Sequence, residues 1–534
     1  MNRGQSRRHF LLSLAASGLA SAAAPAFAEA LQSSPRPRAR GDTTVKARGA
    51  QDTPEDLIAK ARLGDGVVGY AVLSAATGKL LESHRGTLGL PPASVAKSLT
   101  AAYGLDTLGP DYRFSTELWT TGAIVGGELN GDLVLVGGGD PTLDTDGLAK
   151  LARNLEEVGI KSITGRFIVD GGVLPFSPVI DTEQPVHVAY NPAVSGINLN
   201  YNRVSFEWER KGEGYDVSMH APSMAGRQAV RMAHMEIADR AGPIYTYADL
   251  NSRDEWSVAK GALGKDGSRW LPVRKPELYV GEVFQALAGS RGLQLPEPVI
   301  EHGVETVDFI GRVESEPLHA VLKEMLKYST NITAELVGLT ATRKRLGHAL
   351  SIRQSAEEMN RWARDTMGLT HVAMVDHSGL GGDSRVAAAD VAMAVLQAER
   401  RLQLKPLMKS ITVLDNRGRP VKGNPLEVHA KTGTLNFVSG LAGYVDMPSG
   451  QGLVFAIFCG DVPRRDAIPI EERERPPGMM EWNTRAKMLQ QDLIRRWSDL
   501  FPDGTGPEAV AASSVTPAAQ TSTGAMAFTE TAEP

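Results

Sequence analysis

A chain of 534 residues has room for two to four domains, each able to bury a core of its own. Its 57 basic and 62 acidic residues leave a net charge of −5, which excludes the strongly basic balance of a nucleic-acid binder, and 42% hydrophobic with 22% charged residues is the composition of a folded globular protein. The single cysteine, Cys459, excludes an intrachain disulfide and a cysteine-based metal centre.

The chain opens with SRRHFLLSLAASGLASAAAPAFAEA: paired arginines (Arg7, Arg8), an apolar run too short to span a bilayer stably, and a small-residue Ala26-Phe27-Ala28 cleavage pattern. These features predict a removable signal over residues 1–28, and Ser6-Arg7-Arg8-His9-Phe10-Leu11 fits the twin-arginine type used for bacterial export. No other apolar stretch is long enough for a transmembrane helix, so the mature protein is expected outside the cytoplasm with no spanning segment. Residues 29–54, containing SSPRPRARGDTT, read as a flexible linker. Residues 501–534, poor in large apolar side chains, read as a disordered tail.

Between these ends, 66–75 (GVVGYAVLSA) and 78–84 (GKLLESH) read as two strands joined by a turn. Pro91-Pro92 followed by an Ala/Leu-rich run predicts a helix that begins near Ser94. The block 112–282 mixes the strand-like DLVLVGG and GRFIVDGG with the amphipathic TDGLAKLARNLEEVGI, an order with α/β character. Helices are predicted at 317–328, 332–345, 352–367 and 387–402, followed by three β segments, VHAKTG, SGLAGYVDM and GLVFAIFC. TRAKMLQQDLIRRWSDLF closes the ordered part as an amphipathic helix.

Three short motifs stand out against this background. Ser94 and Lys97 are three apart at the start of a predicted helix, a spacing that puts both on one face about a turn from each other. Ser329-Thr330-Asn331 sits in a helix-helix connection, and Lys431-Thr432-Gly433-Thr434 lies in a predicted strand. Each is weak alone; together, in this order and in these settings, they are the pattern of acyl-transfer enzymes that pair a serine with a lysine.

With these motifs the chain resembles the penicillin-binding proteins, and within them the low-molecular-mass D-alanyl-D-alanine carboxypeptidase/endopeptidase group, peptidase family S13, over roughly 56–498. PPASVAKSLTAAYGLDTLGPDYRF resembles that family's nucleophile helix, LVGGGDPTL a signature of its inserted region, and VLKEMLKYSTNITAELVG and AKTGTLNFVSGLAGYV its second and third motif regions. The resemblance implies an α/β (α+β) fold: a penicillin-recognising, serine transpeptidase/β-lactamase-like domain, with a central antiparallel sheet flanked by helices, built from 55–111 plus 283–500. A large inserted mixed α/β region, 112–282, interrupts it, in keeping with the 235 residues that separate Ser94 from Ser329. It further implies a periplasmic enzyme acting on peptidoglycan stem peptides and cross-links, β-lactam antibiotics as covalent inhibitors, and no cofactor. Two alternatives share the motifs: a β-lactamase, against which the long gap and the lack of a recognisable deacylating glutamate count, and a catalytically silent peptidoglycan-binding protein, against which the intact motifs count.

The residue types fix the expected chemistry. A serine hydroxyl needs a base within hydrogen-bond reach, and Lys97 can be that base if burial and a second cation, Lys431, depress its pKa. Ser329 is expected between the lysines as a proton relay to the leaving amine, with Asn331 holding Lys97 and the substrate amide. Thr432 and Thr434, with the Lys431 charge, suit a terminal carboxylate, and Gly433 lets a substrate backbone lie along the strand edge. The resemblance adds an oxyanion hole from the backbone N–H groups of Ser94 and Thr434.

Other features point elsewhere. Gly137-Gly138-Gly139-Asp140 lacks the lysine of a phosphate loop and reads as a turn. The histidines show no metal-ligand spacing, so no metal site is expected. Asp376-His377-Ser378-Gly379-Leu380 resembles the family's D-x-S-G-L element, yet the Ser-Arg that usually follows is here Gly381-Gly382, with Asp383-Ser384-Arg385 resuming the pattern. This departure predicts a more mobile loop, with Ser378 and Arg385 near the site.

Overall fold

The structure, a computed structural model, describes residues 52–505 except 225, 251 and 416. The predicted signal, nearly all of the predicted linker and most of the predicted tail lie outside the described residues.

A six-stranded antiparallel sheet organises the part of the chain that carries the motifs. Its strands run in the order Leu80–His84, Val67–Ser74, Gly452–Gly460, Val438–Asp446, Glu427–Leu435, Lys409–Ser410. Two hydrophobic faces, each covered by helices, explain why the strands read as nearly continuous apolar runs. Along Gly452–Gly460, Leu453, Phe455, Ile457 and Cys459 join one core, and Val454, Ala456 and Phe458 the other. The first face is covered by Pro54–Ala61 and Met479–Leu500, whose Trp482, Leu489, Leu493 and Trp497 are buried on it. The second is covered by Leu318–Tyr328, Asn331–Leu346, Ile352–Met367 and Ala388–Leu402. Each large apolar side chain buried here contributes ~1.5–3 kcal/mol over leaving it in water.

Running through this second core is the helix Ala96–Leu108, entered through a 3₁₀ turn, Ala93–Val95, so the helix expected near Ser94 is present. It is buried on all sides over Ala96–Leu105, as a central helix must be. Gly104 permits the closest approach: a Cβ there would come within 2.7 Å of Val337 on Asn331–Leu346.

The inserted region forms a second body of structure with its own core. A five-stranded sheet, in the order Pro298–Ile300, Phe167–Asp170, Leu133–Gly137, Ser115–Thr120, Asp308–Glu314, packs against the helices Thr145–Val158 and Pro276–Gly289. A four-stranded sheet (Arg203–Lys211, Gly214–Ser223, Gly226–Ala229, Asp266–Pro272) and a three-stranded one (Ala233–Ala238, Tyr245–Leu250, Arg253–Ala259) extend it. Mixed parallel and antiparallel pairing gives the α/β character read from the sequence.

Three expected boundaries are corrected. The insertion does not end at 282: that position lies inside Pro276–Gly289, whose Tyr279, Val280, Val283 and Phe284 are buried in the insert's core. The strands Pro298–Ile300 and Asp308–Glu314 then complete both edges of its sheet, carrying the insert to Glu314. At the start, the linker stops short of 54, because Thr53 caps Pro54–Ala61 through a reciprocal capping box with Asp56. At the far end the ordered chain passes 501: Phe501 is buried, and the Ser449 hydroxyl donates to the Pro502 carbonyl.

Candidate active site

The site assembles where the 3₁₀ turn, the head of Asn331–Leu346 and the strand Glu427–Leu435 converge. Ala93, immediately before Ser94, has φ +47°, a left-handed conformation that costs a non-glycine residue about 1–3 kcal/mol and leaves Ser94 partly exposed at a sharp turn. Ser329, which ends Leu318–Tyr328, is held the same way at φ +61°. Two serines from the expected motifs are thus presented by strained turns.

Lys97 is fully buried, and its Nζ lies 3.0 Å from Ser94 Oγ, 2.7 Å from Asn331 Oδ1 and 2.8 Å from the Ser378 carbonyl oxygen. Lys431 Nζ donates to Ser329 Oγ at 2.9 Å and to its neighbour's carbonyl, that of Thr432, at 2.7 Å. Asn331 spends its amide N–H on the Tyr190 carbonyl at 2.9 Å, so the insert fixes the orientation of a residue that binds Lys97. Five expected residues, Ser94, Lys97, Ser329, Asn331 and Lys431, therefore form two lysine-serine pairs, with Asn331 on Lys97.

The strand side is arranged for something extended. Lys409–Ser410 pairs only with Ala430 and His429, so among the described residues the outer edge of the strand is unpaired from Lys431 onward. Gly433 is buried against the turn that carries Ser94, where a Cβ would meet the Pro92 carbonyl oxygen at 2.7 Å. Thr432 and Thr434 are exposed, their hydroxyls engaged with no described residue. An unpaired edge with free hydroxyls is a template for an added peptide strand.

Electrostatics separates the two lysines. Burial lowers Lys97 to about 8, against the opposing pull of Asp376 and then Glu335, which favour its charge. Lys431 is held well below the ordinary lysine range, first by burial and then by the Lys97 charge. Burial is thus the cause that lowers Lys97, while the Lys97 charge in turn helps hold Lys431 down.

Ser378 lies at the site as expected, whereas Arg385 does not reach the lysines. Ser378 reaches Lys97 through its carbonyl, while its Oγ accepts from the Leu380 N–H at 3.3 Å. Arg385 turns back on its own loop, donating to the carbonyls of Gly382 at 2.6 Å and Ser384 at 2.9 Å, and is not brought to the lysines. Nor is the loop loose: residues 376–381 are buried, and the N–H groups of His377, Ser378, Gly379 and Gly381 all donate to carboxylates. Over Gly382 lies the guanidinium of Arg465, 5% exposed, which forms no hydrogen bond or ion pair with a described residue.

Sequence reasoning missed Glu335 and Arg465, and quoted Asp376 without giving it a task. Glu335 had a signal: it lies four residues after Asn331, hence on the same helix face, as a lone acid in the apolar run ITAELVGL. Arg465 had none, because nothing local links it to a loop more than eighty residues upstream.

Comparison with known proteins follows from this geometry. The family model described as the D-Ala-D-Ala carboxypeptidase 3 (S13) family matches residues 51–481. The chain is 27% identical over 434 residues to a D-alanyl-D-alanine carboxypeptidase of Actinomadura sp. (strain R39), covering 73% of this chain and 77% of that protein. It is 23% identical over 407 residues to D-alanyl-D-alanine carboxypeptidase DacB of Haemophilus influenzae, covering 73% and 85%. The crystal structure of penicillin binding protein 4 (dacB) from Haemophilus influenzae matches with a TM-score of 0.68 at 20% identity, over 84% of this chain and 99% of that one, which establishes the shared fold. With a family match spanning most of its length, the chain belongs to the D-Ala-D-Ala carboxypeptidase 3 (S13) family and is a serine-type carboxypeptidase of the hydrolase class.

Proposed function

We propose that the protein is a periplasmic D,D-carboxypeptidase and D,D-endopeptidase that cuts peptidoglycan stem peptides and cross-links through an acyl-enzyme on Ser94. The observation that carries this reading is the 3.0 Å contact between Ser94 Oγ and a fully buried Lys97 whose affinity for a proton is lowered to the working range of a base. Ser94 Oγ attacks the carbonyl of the penultimate D-Ala as its proton passes to Lys97. The tetrahedral oxyanion is received by the backbone N–H groups of Ser94 and Thr434. The C–N bond then breaks as the departing amine takes, by way of the Ser329 hydroxyl, the proton that Lys97 received from Ser94, which leaves Lys97 free for the next step; Lys431 Nζ holds that hydroxyl at 2.9 Å. Water attacks the ester, returns Ser94 and frees the shortened stem.

Substrate is held by the features around the nucleophile. The stem backbone adds to the open edge of Lys431–Thr434, and its terminal carboxylate meets the free hydroxyls of Thr432 and Thr434. Arg465 offers a guanidinium with no direct ion pair to a described residue, beside the loop, for a further anionic group. A β-lactam presents the same carbonyl and carboxylate, and a solved relative, penicillin binding protein 4 of Haemophilus influenzae, is complexed with one. Export to the periplasm rests on the signal pattern at the N-terminus.

The test uses purified sacculi with wild-type and Ser94→Ala protein. Wild type is expected to release D-Ala and shorten cross-linked peptides; the variant should do neither and should gain no mass with a β-lactam. Equal product from both proteins would remove the mechanism. An adduct hydrolysed within seconds would favour a β-lactamase instead.

A further inference from the structure

The contacts of Lys97 leave one question open: what makes its lone pair point at Ser94. A neutral lysine amine has two N–H bonds and one lone pair. Asn331 Oδ1 and the Ser378 carbonyl can only accept, so they take the two N–H bonds and leave the lone pair for the Ser94 hydroxyl. Loss of either acceptor would let the amine rotate and turn an N–H toward Ser94. Asn331 is anchored by the Tyr190 carbonyl. The Ser378 carbonyl needs an anchor of its own.

That anchor is a pair of buried carboxylates. The peptide unit containing the Ser378 carbonyl also contains the Gly379 N–H, which points the opposite way in a trans peptide and donates to Asp376 Oδ1 at 2.7 Å. Asp376 Oδ2 accepts from Gly381 N–H at 2.6 Å. The two preceding units are gripped from the other side, as Glu335 Oε2 accepts from His377 N–H at 3.0 Å and Glu335 Oε1 from Ser378 N–H at 2.9 Å. Glu335 is fully buried and Asp376 1% exposed, so these four bonds have no competing water. Gly379, at φ +75°, brings the loop so near the nucleophile turn that a Cβ would lie 2.0 Å from the Ala93 carbonyl oxygen.

We propose that Glu335 and Asp376 are positioning residues for Lys97, clamping the 377–381 backbone from two sides so that the Ser378 carbonyl holds the amine with its lone pair toward Ser94. Neither carboxylate touches the reacting atoms; both act through the peptide between them. Burial raises both carboxyls, Glu335 to about 8 with Asp376 adding to the rise, and when ionised each favours protonated Lys97 and so opposes the burial that releases its proton. The titratable groups coupled to the amine are these two acids, which bear on it, and Lys431, which feels its charge. His377, which lies in the same loop, is driven down to about 3 by burial and stays neutral.

The proposal rests on Lys97 as the base, and the test separates the two claims. Asp376→Asn and Glu335→Gln each replace one oxygen with an NH₂ that faces a backbone N–H, which breaks one arm of the clamp at nearly constant shape. Acylation of Ser94 by a β-lactam, followed by intact mass across pH 6–10, should slow at least tenfold in both variants at unchanged apparent affinity, with the rising limb moved to lower pH. Variants that keep the wild-type melting temperature, rate and limb would overturn the positioning claim. If Lys97→Met acylates like wild type, the base assignment itself fails; if it is inert while the clamp variants behave as wild type, only the clamp fails. Should the clamp variants not fold, infrared spectra of wild type and Lys97→Met decide. Removing the cation should strengthen the protonated-carboxyl band, and identical spectra would overturn the coupling.

Discussion

Lys97 is an amine that folding takes wholly out of water, and its chemistry follows from that. An ordinary lysine at neutral pH is almost entirely charged, whereas one lowered to about 8 is neutral in roughly one molecule in ten at pH 7. The rate of Ser94 acylation is therefore expected to rise with pH and level off above about 8, since only the neutral amine can accept a proton. A stopped-flow pH series with a chromogenic β-lactam checks this, and a rate flat between pH 6 and 9 would remove Lys97 as the base. Lys97→Arg, which keeps the charge but cannot deprotonate, should lose activity at least a thousandfold. Stability carries the opposite side of the same linkage. Below pH 8 the protein holds a buried charge at a cost of about 3 kcal/mol, relieved as pH climbs from 8 toward the unfolded value near 10.5.

The helix Asn331–Leu346 shows how one element carries the site. Asn331 and Glu335, one turn apart, face Lys97 and its loop, and a turn later Gly338 lets the His377 ring pack directly on the helix backbone. A Cβ at 338 would sit 2.2 Å from that ring, which cannot withdraw because its Nε2 is 2.8 Å from Ser355 Oγ. Gly338→Ala should thus destabilise the protein by about 2–4 kcal/mol, despite alanine's better helix propensity, and slow acylation by displacing the loop. Thermal melts and β-lactam labelling check both, and an unchanged melting temperature would contradict the packing. The helix, its limits and Asn331 were legible because periodicity and the S-x-N motif are local signals. Glu335's partners were not, because a carboxylate reveals its task only when backbone N–H groups forty residues downstream fold over it.

At the scale of the whole chain, the insert and the sheet domain are clasped beside the site. Glu474 bonds His187 at 2.7 Å and Arg269 at 2.8 Å, Arg473 pairs with Glu183 at 3.0 Å, and Asn331 holds the Tyr190 carbonyl. The His187 hydrogen bond, and then Arg269, hold the Glu474 carboxyl down to about 2. A depressed carboxylate contributes stability above its unfolded pKa, near 4.3, and loses it as pH falls toward 2. Glu474→Gln should therefore lower the melting temperature slightly at pH 6, by no more than the ~1 kcal/mol of a partly exposed pair, with the gap to wild type closing between pH 4.5 and 2. A gap that stays constant through that window would show the clasp is not ionic. Domain limits were the least legible feature. The insert's last strands, Pro298–Ile300 and Asp308–Glu314, are short and half-exposed, and only their pairing with strands over a hundred residues earlier assigns them to the insert. The three motifs were legible because their chemistry demands fixed residues at short spacing.

The partners of Lys97 also bear on how the enzyme comes into being. Asn331 lies 234 residues beyond it and Ser378 lies 281 beyond, so the lone pair cannot be aimed until most of the chain has emerged and closed. A nascent or clipped polypeptide carries Ser94 as an ordinary, unreactive hydroxyl beside a hydrated, charged lysine. On the mechanism proposed above, hydrolytic power arrives only with completion of the fold, a safeguard built from sequence distance alone, and covalent capture of a β-lactam would count finished molecules.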